Sequence, residues 1–233
     1  MAERAGLKPV KTGIIFLLIA MGLSGCADQP PAPDFVAVSG AGIQLDIKYF
    51  TGDNLVGERL DGYLAPSCWL ARPAAEALQK VAAGLRERGL GLLIFDCYRP
   101  QTAVNHFVRW AASPEDLTTK PLYYPNEEKA LLFERGYIAE RSGHSRGATV
   151  DLSVYRLADG KALDMGTGFD FMDVSSATAY EPVSETVRAN RDLLLAAMTA
   201  QGFVNYSQEW WHYTFKPEPY PDTYFSQPVS AAP

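Results

Sequence analysis

LGLLIFDCYRPQTAVNHFVRWAA, residues 90–112, decides the fold class. "LGLLIFD" is a short apolar run of strand length with a turn after it, and a helical pattern follows with a proline near its start. In a doubly wound protein that strand–helix unit would recur at a regular beat, beside a glycine-rich phosphate loop. Neither is present. Upstream, "IQLDIKYF" (43–50) alternates as a half-buried strand does. "RPAAEALQKVAAGLRERG" (72–89) is a helix with Pro73 in its first turn and Gly89 at its end. Downstream, "PNEEKALLFERG" (125–136) is a shorter, more polar helix or loop, and "GATVDLSVYRL" (147–157) is a strand. "VRANRDLLLAAMTAQG" (187–202) is a third long helix, and "EWWHYTF" (209–215) is an aromatic strand. This irregular mixture predicts a single α+β domain, a mainly antiparallel sheet flanked by helices.

The first residues are of another kind. Arg4, Lys8 and Lys11 precede the apolar run "GIIFLLIAMGL" and then "LSGC" at 23–26. A basic head, a short greasy segment and small residues at the break describe an export signal. The run falls short of the roughly 20 apolar residues that a spanning helix needs. Leu23-Ser24-Gly25-Cys26 resembles the lipobox of bacterial lipoproteins, which implies lipidation of Cys26 as the first mature residue. A plain secretory signal or an uncleaved anchor are the other readings. "ADQPPAPDF" then reads as an extended tether. The expected organisation is a signal over 1–25, a lipidated N-terminus and proline-rich tether over 26–42, and the folded domain over 43–233.

Cleavage before Cys26 would leave 208 of the 233 residues, enough for one domain with a sizeable core. The removed segment carries three basic residues against Glu3, so the net charge moves from −6 to −8. An acidic chain without a basic run offers nucleic acid nothing to hold. Export also puts Cys68 and Cys97 in an oxidising compartment, where they either pair in a disulfide or stay as two buried thiols.

With only three histidines in the chain, their placement carries weight. His144 and Asp151 lie in "SGHSRGATVD", seven positions apart, so a regular strand would send them to opposite faces. Gly147 between them can supply a bend or bulge that re-aims one of them. Glu209 and His212 follow about 60 residues on in "EWWHY". Two imidazoles and one carboxylate make a tripod that suits Zn²⁺ and leaves a fourth position for water, with Glu209 as the proton acceptor. Arg99, at the turn after the 90–96 strand, can reach a cleft and stabilise an oxyanion. Read singly, each residue is as well explained by packing or surface pairing. Asp96 either orients Arg99 or simply ends its strand. His106 has no second ligand near it in sequence and is read as a packing or surface histidine.

"SGHSRGATVDL" together with "EWWHY" resembles the paired signature of the zinc D-alanyl-D-alanine dipeptidases, the VanX-type peptidases, which share a superfamily with zinc D,D-carboxypeptidases. "DGYLAPSCWLARPAAEALQKV", "GLGLLIFDCYRPQTAVNHFVRWA", "DMGTGFDFMD" and "NRDLLLAAMTAQGF" are similar to that family in the same order, so the resemblance spans roughly residues 43–228. It implies a zinc D,D-peptidase-like fold with His144, Asp151 and His212 as zinc ligands. It further implies Glu209 as general base and Arg99 as the group that polarises the scissile carbonyl. Asp170 falls where the family faces the substrate's free ammonium, and Ser142 lines the same pocket. The implied substrate is the dipeptide D-Ala-D-Ala.

One feature departs from the family picture, since members linked to glycopeptide resistance act in the cytoplasm. A lipid-anchored chain would instead meet D-Ala-D-Ala released by wall turnover. Because Ala27 is not aspartate, the periplasmic face of the outer membrane is favoured in a Gram-negative host. A zinc D,D-carboxypeptidase or endopeptidase acting on peptidoglycan stems is the nearer alternative, and a non-catalytic zinc-binding lipoprotein the more distant one.

Overall fold

The structure, a computed structural model, describes residues 1–2, 32–115 and 117–233. Pro33–Pro233 form one compact unit. The signal, Cys26 and the first part of the tether therefore lie outside the described residues. In chain order the elements are β1 (Phe35–Ala37), β2 (Ile43–Leu45), β3 (Trp69–Ala71), α1 (Arg72–Arg86), β4 (Leu90–Asp96) and α2 (Gln101–Ala111). They continue with α3 (Lys120–Tyr123), β5 (Thr149–Arg156), α4 (Glu185–Thr199), β6 (Phe203–Asn205) and β7 (His212–Phe215), joined by loops and short 3₁₀ turns.

The main sheet has the order β2-β4-β5-β7-β6, and every pairing in it is antiparallel except the edge pair β2–β4. β5 is central, and its residues are buried from Thr149 to Tyr155. Val150, Leu152 and Val154 therefore face one side and Asp151 the other, by the period of two. α1 packs on β4 and against α4. Its buried Ala74, Leu78, Val81 and Leu85 recur at helical spacing. Each fully covered leucine, Leu78 among them, contributes about 1.5–3 kcal/mol. Ser184 caps α4 by accepting from the Val187 N–H at 3.2 Å.

A second, two-stranded sheet was not expected. β1 pairs with β3, so Phe35–Ala37 belong to the folded unit and not to a free tether. Phe35 stacks near Tyr98 and Phe225, with ring centroids 4.7 and 5.3 Å away. Asp34 adds a bidentate pair with Arg72.

Two local expectations need correction, and one pair of alternatives is decided. The 43–50 strand stops at Leu45 because Asn54, buried and donating to the carbonyls of Lys48, Thr51 and Glu58, winds the following residues into a compact loop. Of helix or loop for 125–136, the structure has loop, with one 3₁₀ turn at Lys129–Leu131. In "EWWHYTF" the strand begins at His212; Glu209–Trp211 form a turn in which Glu209 N–H donates to Tyr206 C=O and His212 N–H to Glu209 C=O.

Cys68 and Cys97 are joined in a disulfide that ties the segment before β3 to the end of β4. The C-terminal segment returns across the same end, where Phe225 N–H donates to Ser145 C=O and Gln101 N–H to Phe225 C=O, both at 2.9 Å.

Candidate metal and catalytic site

Sheet register assembles the centre of the site. Asp151 on β5 stands opposite His212 on β7 and opposite Asp96 on β4. The ladder between β4 and β5 shifts between Ile94 and Asp96, which turns the Asp96 carboxylate toward Asp151. Of the bend or bulge expected at Gly147, the structure has the bend there, and the bulge lies on β4. His144 is not on a strand. It sits in a 3₁₀ turn, Gly143–Arg146, that Gly147 ends in the left-handed conformation (φ 76°). A Cβ at Gly147 would also lie 2.3 Å from the Phe35 ring, so glycine is required there twice over. Ser142 caps this turn, its Oγ accepting from the His144 N–H at 3.2 Å.

His144, Asp151 and His212 each offer one donor atom, all within 4.8 Å of one another. His144 Nδ1 donates to the Cys97 carbonyl at 2.6 Å, which fixes the tautomer and turns Nε2 toward Asp151 Oδ2, 3.2 Å away. His212 presents Nδ1, 3.1 Å from Asp151 Oδ1 and 3.4 Å from Glu209 Oε2. Among the described residues, neither His144 Nε2 nor Asp151 Oδ1, both buried, completes a hydrogen bond with these neighbours or any other group. Two orphaned acceptors side by side cost several kcal/mol unless a third species meets them both. A divalent cation does so, and the two-imidazole, one-carboxylate donor set is of the zinc type.

The remaining groups ring this trio. Arg99 Nε donates to Asp96 Oδ2 at 2.9 Å and Nη2 approaches Asp151 Oδ2 at 3.4 Å. Its guanidinium lies over the Tyr49 and Phe107 rings, 4.7 and 5.4 Å from their centroids. Asp96 is fully buried and also accepts from Tyr63 Oη at 2.6 Å. It thus both ends β4 and holds Arg99. Burial, and then the charge of Asp151, push the Glu209 carboxyl well above the ordinary range, with Arg99 opposing them. Burial does the same to Asp170, partly offset by the hydrogen bond from Tyr49 Oη at 2.6 Å.

Asp170 is also the single described non-glycine residue with positive φ, at 57°. Such strain concentrates at functional sites, where the surrounding structure enforces it. All seven residues expected at the site, Arg99, Ser142, His144, Asp151, Asp170, Glu209 and His212, line one cavity of about 290 Å³. That volume is at the small end for ligand sites.

Sequence reading passed over Tyr49, Tyr63 and the Cys97 carbonyl. No local signal could have found them, since Tyr49 and Asp170 are 121 residues apart. Trp210 and Trp211 are buried, and Trp211 packs edge-on against Phe169 at 5.6 Å. His106 is remote from the trio; it accepts from Asp61 N–H and pairs with Glu58. Asp164 and Asp173 hold turns, through Gly166 N–H and Ser175 N–H.

The family described as D-ala-D-ala dipeptidase matches residues 31–230. A D-alanyl-D-alanine dipeptidase of Streptomyces coelicolor is 48% identical over 190 residues, covering 82% of this chain and 94% of its own. Its namesake in Enterococcus faecalis is 45% identical over 81% of this chain and 94% of its own. The Escherichia coli protein of that name is 36% identical over 73% and 78%. With the donor trio, its flanking groups, the family match over residues 31–230 and these relatives in agreement, the chain belongs to the D-ala-D-ala dipeptidase family.

Proposed function

We propose that this protein hydrolyses the dipeptide D-Ala-D-Ala to free D-alanine, with zinc held by His144, Asp151 and His212. The observation that carries the reading is a buried carboxylate, Asp170, in the same small cavity as the donor trio and Arg99. Zinc bound there supplies a Lewis acid and brings the pKa of a coordinated water toward neutrality.

The chain's own groups do the rest. Glu209, made more basic by its burial, takes a proton from the attacking water and delivers it to the departing amine. Arg99 spends two N–H groups on Asp96 and Asp151 and turns its remaining donors to the cavity, where negative charge grows on the carbonyl oxygen. Asp170, oriented by Tyr49, accepts the substrate's free ammonium. A peptide without that amine leaves a buried carboxylate unpaired, which disfavours stem peptides and longer chains. A Glu209→Ala protein should keep its zinc and lose hydrolysis. If it keeps both, the base is misassigned.

The same reading puts the enzyme outside the cytoplasm, tethered by lipid on Cys26, and at the periplasmic face of the outer membrane in a Gram-negative host. There it would act on D-Ala-D-Ala released by wall turnover. Support comes from the basic, apolar and "LSGC" segments in series, and from the Cys68–Cys97 disulfide, a bond that persists in oxidising compartments. Cys26→Ser should move the protein from the membrane to the soluble fraction. Recovery of wild type from cytosol with residues 1–25 intact would refute the anchor.

A further inference from the structure

Arg191 lies in the middle of α4, 1% exposed, and no salt bridge is found for it among the described residues. A buried guanidinium without a carboxylate is costly, and a chain carries one only where its donors are well used. Here they are spent on one loop. Nε donates to Met165 C=O at 2.8 Å, Nη1 to Ala177 C=O at 2.7 Å and Nη2 to Ser175 C=O at 3.0 Å. These carbonyls bracket residues 165–177, and Asp170 sits near the middle of that span.

The contacts inside the loop run the same way. Ser176 Oγ donates to Phe171 C=O at 2.6 Å and stands 3.0 Å from Thr167 Oγ1, which also accepts from Trp210 Nε1 at 2.8 Å. The loop is thereby pinned at both stems, and its crown is left with Asp170 at positive φ. A left-handed aspartate is unfavourable by itself and keeps that conformation only if the frame around it is stiff.

We propose that Arg191 is a positioning residue for amine recognition. Its fork closes the two stems of the 165–177 loop and thereby holds the Asp170 carboxylate where the substrate's ammonium binds. The inference rests on the proposed role of Asp170. A planar fork can serve three carbonyls in different directions, whereas a lysine ammonium on a flexible stem cannot hold the same geometry.

The test uses the full chain in detergent, as wild type, Asp170→Asn, Arg191→Lys and Arg191→Gln. The readouts are zinc content, thermal midpoint, KM for D-Ala-D-Ala and competitive inhibition by N-propionyl-D-alanine, which has the dipeptide's shape without its amine. Arg191→Gln serves if the lysine variant does not fold, since its amide keeps two N–H donors and buries no charge. The expected result is a KM raised on the order of tenfold to hundredfold in the Arg191 variants. The inhibition constant of the amine-free analogue and the zinc content should stay at wild-type values, and Asp170→Asn should show the same selective loss.

A loss that falls equally on both ligands would make Arg191 merely structural and overturn the proposal. Selective loss in Asp170→Asn with neither Arg191 variant affected would overturn the proposal and leave the Asp170 reading standing. No selective loss in Asp170→Asn would remove the reading and the inference with it.

Discussion

Arg99→Lys is the most informative single change in the site. It keeps the charge and removes only the shape of the cation. The guanidinium has five N–H donors; one goes to Asp96 Oδ2 at 2.9 Å and one toward Asp151 Oδ2 at 3.4 Å, with the Tyr63 hydroxyl beside it, so part of the fork remains for a developing oxyanion. A lysine ammonium has three donors at a single point. Drawn by two buried carboxylates, it would settle between them and present no fixed donor to the cavity. The lost interaction is of the oxyanion-hole kind, about 2.7–4 kcal/mol, or roughly 10²–10³ in kcat. KM should move little, because the neutral carbonyl of the bound substrate gains little from the group.

The trio is untouched, so zinc content should equal that of wild type. The assay is steady-state hydrolysis of D-Ala-D-Ala with zinc measured on the same sample. An Arg99→Lys enzyme within threefold of wild-type kcat would refute the transition-state role. A kcat loss accompanied by lost zinc would mean that Arg99 acts through Asp151 instead.

Further outcomes follow from the same geometry. Asp96→Asn removes the carboxylate that receives both Tyr63 Oη and Arg99 Nε, so kcat should fall about tenfold or more, which corresponds to a charge-assisted hydrogen bond of 1.5–3 kcal/mol. Unchanged kcat would show that Tyr49, Phe107 and Asp151 position the guanidinium without Asp96. Reduction of the Cys68–Cys97 bridge, whose half-cystines are 29 residues apart, should cost about 3.6 kcal/mol and lower the thermal midpoint by roughly 7–14 °C; an unmoved midpoint in reductant contradicts this. Glu218 gives the pH prediction. Burial would raise its carboxyl, but Arg146 and Lys216 outweigh burial and hold it below the usual value of 4.5. A depressed folded-state pKa gives stability that is present above pH 4.5 and lost as pH falls through the lower folded value. Glu218→Gln should therefore destabilise at pH 7, by about 1 kcal/mol given the partial exposure of Arg146, and hardly at all near pH 2. Equal destabilisation at both pH values would assign the effect to packing.

Much of this was legible in the sequence, and the rest has a physical reason for having been hidden. The long helices show in 72–89 and 187–202 because apolar residues at helical spacing must face a core. The strands at 90–96 and 149–156 show because both of their faces are covered. β1, β3 and β6 are three residues each, too short for a period of two to register. The pairing of β1 and β3 is set by partners far away in the chain, as Phe35 is by Ala71. At the site, residue types and spacing exposed His144, Asp151, Glu209 and His212 as one constellation. The bend at Gly147 was readable, whereas the bulge on β4 and the capped 3₁₀ turn that holds His144 were not. Groups that hold other groups were invisible for the same reason as β1: Tyr49 under Asp170 and the Cys97 carbonyl under His144 are relations of fold, not of spacing.

The central claim is amine-dependent, zinc-dependent cleavage of a free dipeptide. Its most direct measurement is alanine released from D-Ala-D-Ala by the purified protein, with zinc and with chelator, beside N-acetyl-D-Ala-D-Ala. Release from the free dipeptide alone, abolished by chelator and restored by zinc, is the predicted result. Release from the acetylated peptide alone would contradict it and move the protein to the carboxypeptidases, and zinc binding with no release from either would leave a non-catalytic metal protein on this fold.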